Sequence, residues 1–153
     1  MTGKGHHISG VICAFGFAQL AHDLGLSAWV VGIGVVLGSK APDWMEINIG
    51  KKRLITHRTI THWLPLWMLA LCLSFVYIDL INARAAGLGE LLVGFSIGGL
   101  LHLLLDIPNP MGIPVLTPTK RLSLNLWKSG RNEFFIHSVL AVVTALYVVP
   151  RLF

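Results

Sequence analysis

The sequence predicts an all-α protein, an integral membrane helical bundle of four to five transmembrane helices. Of its 153 residues, 54% are hydrophobic and only 12% are charged, and the mean hydropathy is +0.72. An average soluble domain is nearer a quarter charged. The apolar residues form separate segments whose connections are too short for a soluble domain of ordinary size. We therefore expect residues 1–153 to form a single membrane-embedded helical domain.

Five apolar segments supply the helices. The first two, 8–20 and 26–38, each have roughly 13 residues, or about 20 Å of helix, which is short of the roughly 30 Å hydrocarbon core. They form either two short spans or a re-entrant pair. Segments 63–81, 88–107 and 134–149 are long enough to cross a membrane with a little tilt.

Glycines and prolines add two local expectations. Gly94 and Gly98 have the spacing that allows close helix packing, either within one chain or between chains. Four prolines between positions 107 and 118 predict an ordered, non-helical loop after the fourth segment.

The basic residues concentrate in two connections. The chain has 12 Lys and Arg against 7 Asp and Glu, a balance that in a soluble protein would raise the question of nucleic acid. Here the positions follow the positive-inside rule, with Lys40, Lys51, Lys52, Arg53 and Arg58 in one connection and Lys120, Arg121, Lys128 and Arg131 in another. We expect both connections to be cytoplasmic and to contact anionic membrane lipids, and we expect no direct nucleic-acid binding.

Most histidines and several acidic residues stand at the ends of apolar segments. If the first two segments form a down-and-up pair, the N-terminus and the connections 39–62 and 108–133 share one side of the membrane. The ligand-type side chains would then form one candidate metal site on the cytoplasmic side: His6, Asp43, His57, His62, His102 and Asp106.

His102 and Asp106 are the first pair in this set. They lie at i and i+4, so on a helix they share a face. Imidazole nitrogen and carboxylate oxygen are normal zinc ligands, and an ionisable pair within an apolar segment commonly marks function. The alternative is a hydrogen-bonded pair that only ties two helices together.

The segment before the third apolar stretch contains His57, Arg58 and His62. Two imidazoles beside a guanidinium suit a metal site that also binds an oxyanion such as phosphate. The alternative is an interfacial basic segment whose side chains meet lipid headgroups.

The remaining members are ambiguous when each is taken by itself. Asp43 follows Pro42, where a carboxylate can also cap a turn. His6 by itself would be a solvated terminal histidine. Glu133 and His137 form another i, i+4 pair, which would be either a carboxylate–imidazole pair or a surface ion pair. We place His22 and Asp23 at the opposite end and outside the site.

Several short motifs together resemble a known family. They are Met1-Thr-Gly-Lys-Gly-His6, Pro42-Asp43, His57-Arg58 with Thr61-His62, His102 through Asp106, and the segment from Met111 to Pro118. In this order they resemble the membrane-bound metal-dependent hydrolase family, some members of which are called LexA-binding inner-membrane-associated hydrolases. The resemblance implies a multi-pass protein of the bacterial inner membrane with hydrolase activity.

A second, distant resemblance concerns the His-x-x-x-Asp element. It is similar to one in zinc-dependent phospholipase C and P1-type nucleases, which implies one or two divalent ions, zinc in first place, and a phosphoester substrate. The chain departs from the family's frequent Pro-Asp-x-Asp pattern, because Met45 stands where the second Asp would fall. Either the adjacent Glu46 substitutes, or one ligand is lost.

These observations lead to an expected function and two alternatives. The expectation is metal-assisted hydrolysis of a phosphoester or lipid headgroup, with Arg58 holding a phosphate oxygen and Glu133 or Glu46 acting as general base. The first alternative is a structural metal site in a protein that recruits a cytoplasmic partner. The second is a metal or proton transporter, which should have ligands throughout the depth of the bilayer.

Overall fold

The computed structural model describes residues 1–46, 48–49, 52–53 and 58–152, and these are mostly helical. The α-helices are α1 (Gly3–Asp23), α2 (Ala28–Gly38), α3 (Ala41–Trp44), α4 (Leu64–Val76), α5 (Ile78–Arg84), α6 (Leu88–Asp106) and α7 (Glu133–Val148). Single 3₁₀ turns span Ile60–His62 and Val149–Arg151. Two small antiparallel hairpins pair β1 (Asn48–Ile49) with β2 (Lys52–Arg53) and β3 (Ile113–Pro114) with β4 (Arg121–Leu122).

The first two helices form an antiparallel pair. Thr2 caps α1, its Oγ1 accepting a hydrogen bond from the Gly5 amide at 3.1 Å. After α1 the chain turns at Gly25, whose φ of +74° favours glycine, and the Leu26 amide donates to the Ala21 carbonyl at 2.8 Å. The turn returns α2 along α1 towards the end of the bundle where the chain begins.

Small residues bring α2 and α6 into backbone contact. A Cβ on Gly94 would collide with the Val31 carbonyl oxygen, and one on Gly98 would collide with that of Val35. Gly38 on α2 meets the Phe95 carbonyl in the same way. The glycine spacing therefore serves packing within this chain. It also fixes the end of α2 beside the last turns of α6.

The third apolar segment is broken rather than continuous. We expected one helix over 63–81, but α4 ends at Val76 and α5 begins at Ile78 with a bend of 70°. One turn before the break, the Ser74 hydroxyl donates to the Ala70 carbonyl at 2.7 Å. The same bond forms at Ser96 within the continuous α6, so it does not by itself account for the break.

Within the described residues, two helical stretches are long and apolar enough to cross a membrane, Leu88–Asp106 and Glu133–Arg151. A third is obtained if the bent α4–α5 pair counts as one span, and α2 is a shorter apolar helix. The structure thus supports an all-α membrane protein with two or three candidate spans, whereas the sequence predicts four or five.

Between α6 and α7 the chain forms the expected non-helical segment. The β3–β4 hairpin occupies part of it, and Gly112 adopts a φ of +55° just before β3. Ile113 is completely buried and packs with Trp67 and Leu103. The loop is thereby fastened against the same end of the bundle at which α6 finishes.

Candidate metal centre

The polar side chains meet at the end of the bundle where α1 begins and where α2 and α6 finish. We call Asp43, His62, His102 and Asp106 the four-ligand cluster. Asp43 lies on α3, His62 on the first 3₁₀ turn, and the other two on the last turns of α6. His62, His102 and Asp106 are buried, whereas the Asp43 side chain is 37% exposed. Three separate segments therefore converge on one polar site.

The two imidazole nitrogens of the cluster lie at similar distances from the two carboxylates. His62 Nε2 and His102 Nε2 lie 3.5 and 3.7 Å from Asp43 Oδ1. The same two nitrogens lie 4.0 and 3.6 Å from Asp106 Oδ2. These separations exceed ordinary hydrogen bonds. They approach the roughly 3.3–3.4 Å between ligand atoms of a tetrahedral ion with bonds of about 2.0–2.1 Å.

His102 is oriented by the backbone. Its Nδ1 lies 2.8 Å from the Ser39 carbonyl oxygen, and because a carbonyl can only accept, Nδ1 carries the proton. Nε2 then presents its lone pair to the two carboxylates, and it has no hydrogen-bond partner in the described part of the chain. A histidine fixed through one nitrogen with the other directed at carboxylates is typical of a metal ligand.

Contacts with the start of α4 position His62. Trp67 is buried, and its indole nitrogen donates to the Thr61 carbonyl at 2.7 Å. Gly99 leaves room for the Trp67 ring, which a Cβ there would strike. On the other side, His62 Nδ1 lies 3.1 Å from Thr61 Oγ1 and 3.5 Å from Glu46 Oε1. These contacts hold the ring with Nε2 towards the cluster.

Asp106 is surrounded by hydrogen-bond donors. Its Oδ1 lies 2.9 Å from the Met1 amino group and 3.2 Å from His6 Nε2, and it accepts from Asn109 Nδ2 at 2.7 Å. Its Oδ2 lies 2.7 Å from Arg58 Nη2. Two cationic groups therefore compensate this buried carboxylate, which would otherwise be costly.

His6 lies against the cluster rather than apart from it. It is buried, and its ring stacks on that of His102 with centroids 3.6 Å apart. His6, His102 and Asp106 form a second group that could hold an ion, beside the group of Asp43, His62 and His102. Because His102 Nδ1 is engaged by Ser39, only Nε2 remains for a metal. The two groups therefore cannot use His102 for separate ions at once.

Asp43 forms the accessible side of the cluster. Burial raises the pKa of the Asp43 carboxyl, but the neighbouring imidazoles of His62 and His102 outweigh this and lower the pKa to about 2. The carboxylate is therefore ionised at neutral pH, as a metal ligand must be.

Arg58 and Glu46 also lie at the site. Arg58 is buried with a φ of +56°, and Nη1 donates to the Gly112 carbonyl at 3.4 Å. Glu46 accepts from the Arg58 amide at 3.0 Å. Both side chains thus support the ligands: Arg58 contacts Asp106, and Glu46 lies beside His62.

Glu133 and His137 lie at the edge of the site. Glu133 accepts hydrogen bonds from the Thr2 amide and, at 3.0 Å, from Thr2 Oγ1. His137 Nε2 lies 3.1 Å from the Gly5 carbonyl. The two residues fasten α7 to the start of α1. His57 lies outside the described residues, and His22 is exposed at the far end of α1.

Two partners were absent from the sequence-based prediction. The Ser39 carbonyl could not be predicted from the sequence, because every residue has a backbone carbonyl. Asn109 had a weak signal, because it follows Asp106 by three residues in the loop after the helix. Such short-range side-chain bonds are frequent where a helix ends.

Comparison with known proteins gives the family. No curated protein and no solved structure significantly matches the chain. The family model described as YdjM inner membrane protein matches residues 1–152. The chain therefore belongs to the YdjM inner membrane protein family.

Proposed function

We propose that this protein is a metal-dependent hydrolase of phosphoesters that holds one divalent ion, zinc in first place, in the four-ligand cluster. One observation carries the proposal: each of the two imidazole nitrogens, of His62 and His102, lies 3.5–4.0 Å from a carboxylate oxygen of Asp43 and from one of Asp106. Neutral imidazole and ionised carboxylate are ligands that zinc accepts. A divalent ion would draw these atoms slightly closer and neutralise both carboxylates.

A divalent ion held there would supply Lewis-acid polarisation of a phosphoryl oxygen and would activate water for attack. The chain's own residues prepare the site for that chemistry. Ser39 fixes the His102 tautomer, and the Thr61 hydroxyl and Glu46 lie beside Nδ1 of His62. These outer contacts keep both imidazole lone pairs directed at the same point.

Arg58 supplies a fixed positive charge beside the ligands. Its guanidinium contacts Asp106 Oδ2, and its Nε has no hydrogen-bond partner among the described residues. Positive charge in a buried site stabilises the negative charge that a phosphoryl group develops during hydrolysis. In this proposal, Arg58 forms an ion pair with Asp106 and also stabilises negative charge on the phosphoryl group of the substrate.

Substrate would enter at Asp43, because the other three members of the cluster are buried. Met45 and Trp44, next to Asp43, are exposed apolar side chains. An entrance bordered by such residues suits a membrane interface, where Trp is common. A phosphoester in a lipid headgroup is the substrate that this position would meet.

The charge distribution supports a cytoplasmic position for the site. Both basic connections adjoin the polar end of the bundle, whereas the described part of the opposite end has few basic residues, Arg84 and Arg151 among them. Basic residues mark the cytoplasmic side of inner-membrane proteins. The proposed hydrolase would therefore act on the inner leaflet.

The test is metal content by elemental analysis of detergent-purified protein, prepared without chelators or nickel-affinity steps. We expect about one zinc ion per wild-type chain and its loss in His102→Ala and Asp43→Ala. His22→Ala and Asp79→Ala are matched controls, because both side chains are exposed and distant from the cluster. Loss of phosphodiester hydrolysis should follow loss of metal.

The outcomes distinguish a hydrolase from a protein with a structural metal site. Hydrolysis requires the ion to free or gain a coordination position for water, whereas an ion closed by all four protein ligands is structural. Metal retention without hydrolysis of any phosphoester would favour a structural metal in a protein that recruits a cytoplasmic partner. Absence of metal after incubation with zinc and manganese would refute both the hydrolase and the structural metal site.

A further inference from the structure

We propose that the apolar groove between α6 and α7 binds one acyl chain of an anionic phospholipid and places the lipid headgroup at the polar end of the bundle. The binding proposal rests on the position, lining and neighbouring charges of the groove. Its extension, that this lipid is the substrate, rests on the proposed hydrolase function.

Two adjoining cavities form the groove. The first has a volume of about 350 Å³ and is lined by α1, α6 and α7 residues that include Cys13, Phe17, Leu101 and Val143. The second, of about 240 Å³, lies nearer the polar end between Leu105, Trp127 and Phe135. Leu140 lines both, so they form one path along α7.

The groove exists because, among the described helices, α7 packs mainly on α1. α7 lies against α1, and no residue of α7 is fully buried. At the contact, a Cβ on Gly16 would meet Thr144 at an ordinary 3.6 Å, so the two helices do not interlock there. The sides of α7 and α6 that face each other remain open to an apolar occupant.

The lining of the groove suits an acyl chain. A single hydrocarbon chain is narrow and flexible, and the lining residues are almost entirely apolar.

The groove leads towards the metal centre. Leu101 and Leu105 line it, and they adjoin His102 and Asp106 in sequence on α6. On α1, Cys13 follows His6 by seven residues, so both lie on the same face of that helix. Of the helices that line the groove, α1 carries His6 and α6 carries His102 and Asp106 at their polar ends.

Charge at the polar end selects an anionic headgroup. Trp127 lines the groove, and the exposed Lys128 follows it directly. Arg131 is exposed two residues before α7 begins. A tryptophan beside basic residues at the end of an apolar channel matches a phospholipid, whose chain lies in hydrocarbon and whose phosphate lies at the interface.

The test counts lipids retained by the full-length, metal-free protein. The protein is reconstituted into vesicles of equal phosphatidylglycerol and phosphatidylcholine, released in mild detergent and analysed by native mass spectrometry. Val143→Trp should fill the groove and reduce retained phosphatidylglycerol at least fivefold. Val142→Trp is the matched control, because Val142 is equally exposed and lies outside both cavities.

A second pair of variants tests the headgroup. Replacing both Lys128 and Arg131 by Gln should abolish the preference for phosphatidylglycerol over phosphatidylcholine. Arg84→Gln, at the opposite end, should leave it unchanged. Equal retention by the two Trp variants, or no preference in the wild type, would overturn lipid binding in the groove.

The substrate extension has a separate readout. With zinc bound, Val143→Trp should raise KM for phosphatidylglycerol and leave hydrolysis of the water-soluble bis(4-nitrophenyl) phosphate unchanged. An equal loss on both substrates would overturn the extension. Lipid retention without any hydrolysis would support the groove and refute the proposed hydrolase.

Discussion

The imidazole ring of His6 stacks on that of His102, with centroids 3.6 Å apart and an angle of 14° between the rings. His6 comes from the start of α1 and His102 from the last turns of α6, 96 positions later in the chain. His6 also reaches Asp106 Oδ1 at 3.2 Å. The stack thus joins the N-terminal helix to two members of the four-ligand cluster.

His6→Phe and His6→Ala separate the two roles of this residue. Phe keeps an aromatic ring against His102 but loses the contact with Asp106. We expect both variants to bind zinc about 10–100-fold more weakly, as is typical when a supporting contact is lost. Only His6→Ala should also lower the unfolding temperature, because it leaves a cavity.

Zinc titration against a chelator of known affinity and thermal unfolding in detergent provide the two measurements. His7→Ala is the control, since His7 is adjacent but exposed. Unchanged zinc affinity in both His6 variants would show that the contact with Asp106 does not position the ligand.

Arg58→Ala should destabilise the metal-free protein. Removing one partner of a buried ion pair typically costs about 3–5 kcal/mol. We expect the lower part of that range, because the Met1 amino group still compensates Asp106. Zinc should then raise the unfolding temperature more in Arg58→Ala than in the wild type, since the ion replaces a missing positive charge.

Thermal unfolding with and without zinc measures this difference. Arg131→Ala removes an exposed arginine and should behave as the wild type. An equal zinc-induced shift in Arg58→Ala and wild type would show that the guanidinium and the ion do not share Asp106.

Gly98→Ala should disrupt the contact of α2 with α6. The added Cβ would collide with the Val35 carbonyl oxygen and would lie 2.7 Å from the Ser39 amide. Because the obstacles are backbone atoms, the cost should reach the upper part of the roughly 1–3 kcal/mol typical of overpacking. The shift should also move the Ser39 carbonyl away from His102 and weaken zinc binding.

Gly16→Ala is the matched control for this variant, since its Cβ would make only an ordinary contact with Thr144. Unfolding temperature and zinc affinity should both fall in Gly98→Ala and stay near wild type in Gly16→Ala. A stable Gly98→Ala protein with normal affinity would contradict the link between helix packing and the site.

The arrangement of the site could be predicted in part because polar groups in apolar segments are few. His102 and Asp106 share a helix face by their spacing alone, and the structure places both in the cluster. The convergence with Asp43 and His62 is expected if successive apolar segments cross the membrane in alternate directions. Helix ends on the same side of a bundle must lie close together when the bundle is small.

Other features depend on tertiary geometry that spacing does not encode. Arg58 was predicted from its residue type to meet phosphate, but its guanidinium contacts Asp106 in the folded chain. Hydropathy does not predict the break at Tyr77, because the segment is apolar on both sides of it. Glu133 was grouped with the site by its position before α7, yet its carboxylate contacts Thr2.

Glu46→Gln and Glu133→Gln form the last comparison. Glu46 lies 3.5 Å from His62 Nδ1, so loss of its charge should make His62 a weaker ligand and lower zinc affinity about 10–100-fold. Glu133 contacts Thr2 instead of the four-ligand cluster. Glu133→Gln should therefore keep its zinc and lose only some stability of the α1–α7 contact. Chelator competition and thermal unfolding on both variants measure the two effects. If Glu133→Gln lost hydrolysis while it kept zinc and thermal stability, Glu133 would act directly in the reaction as a general base.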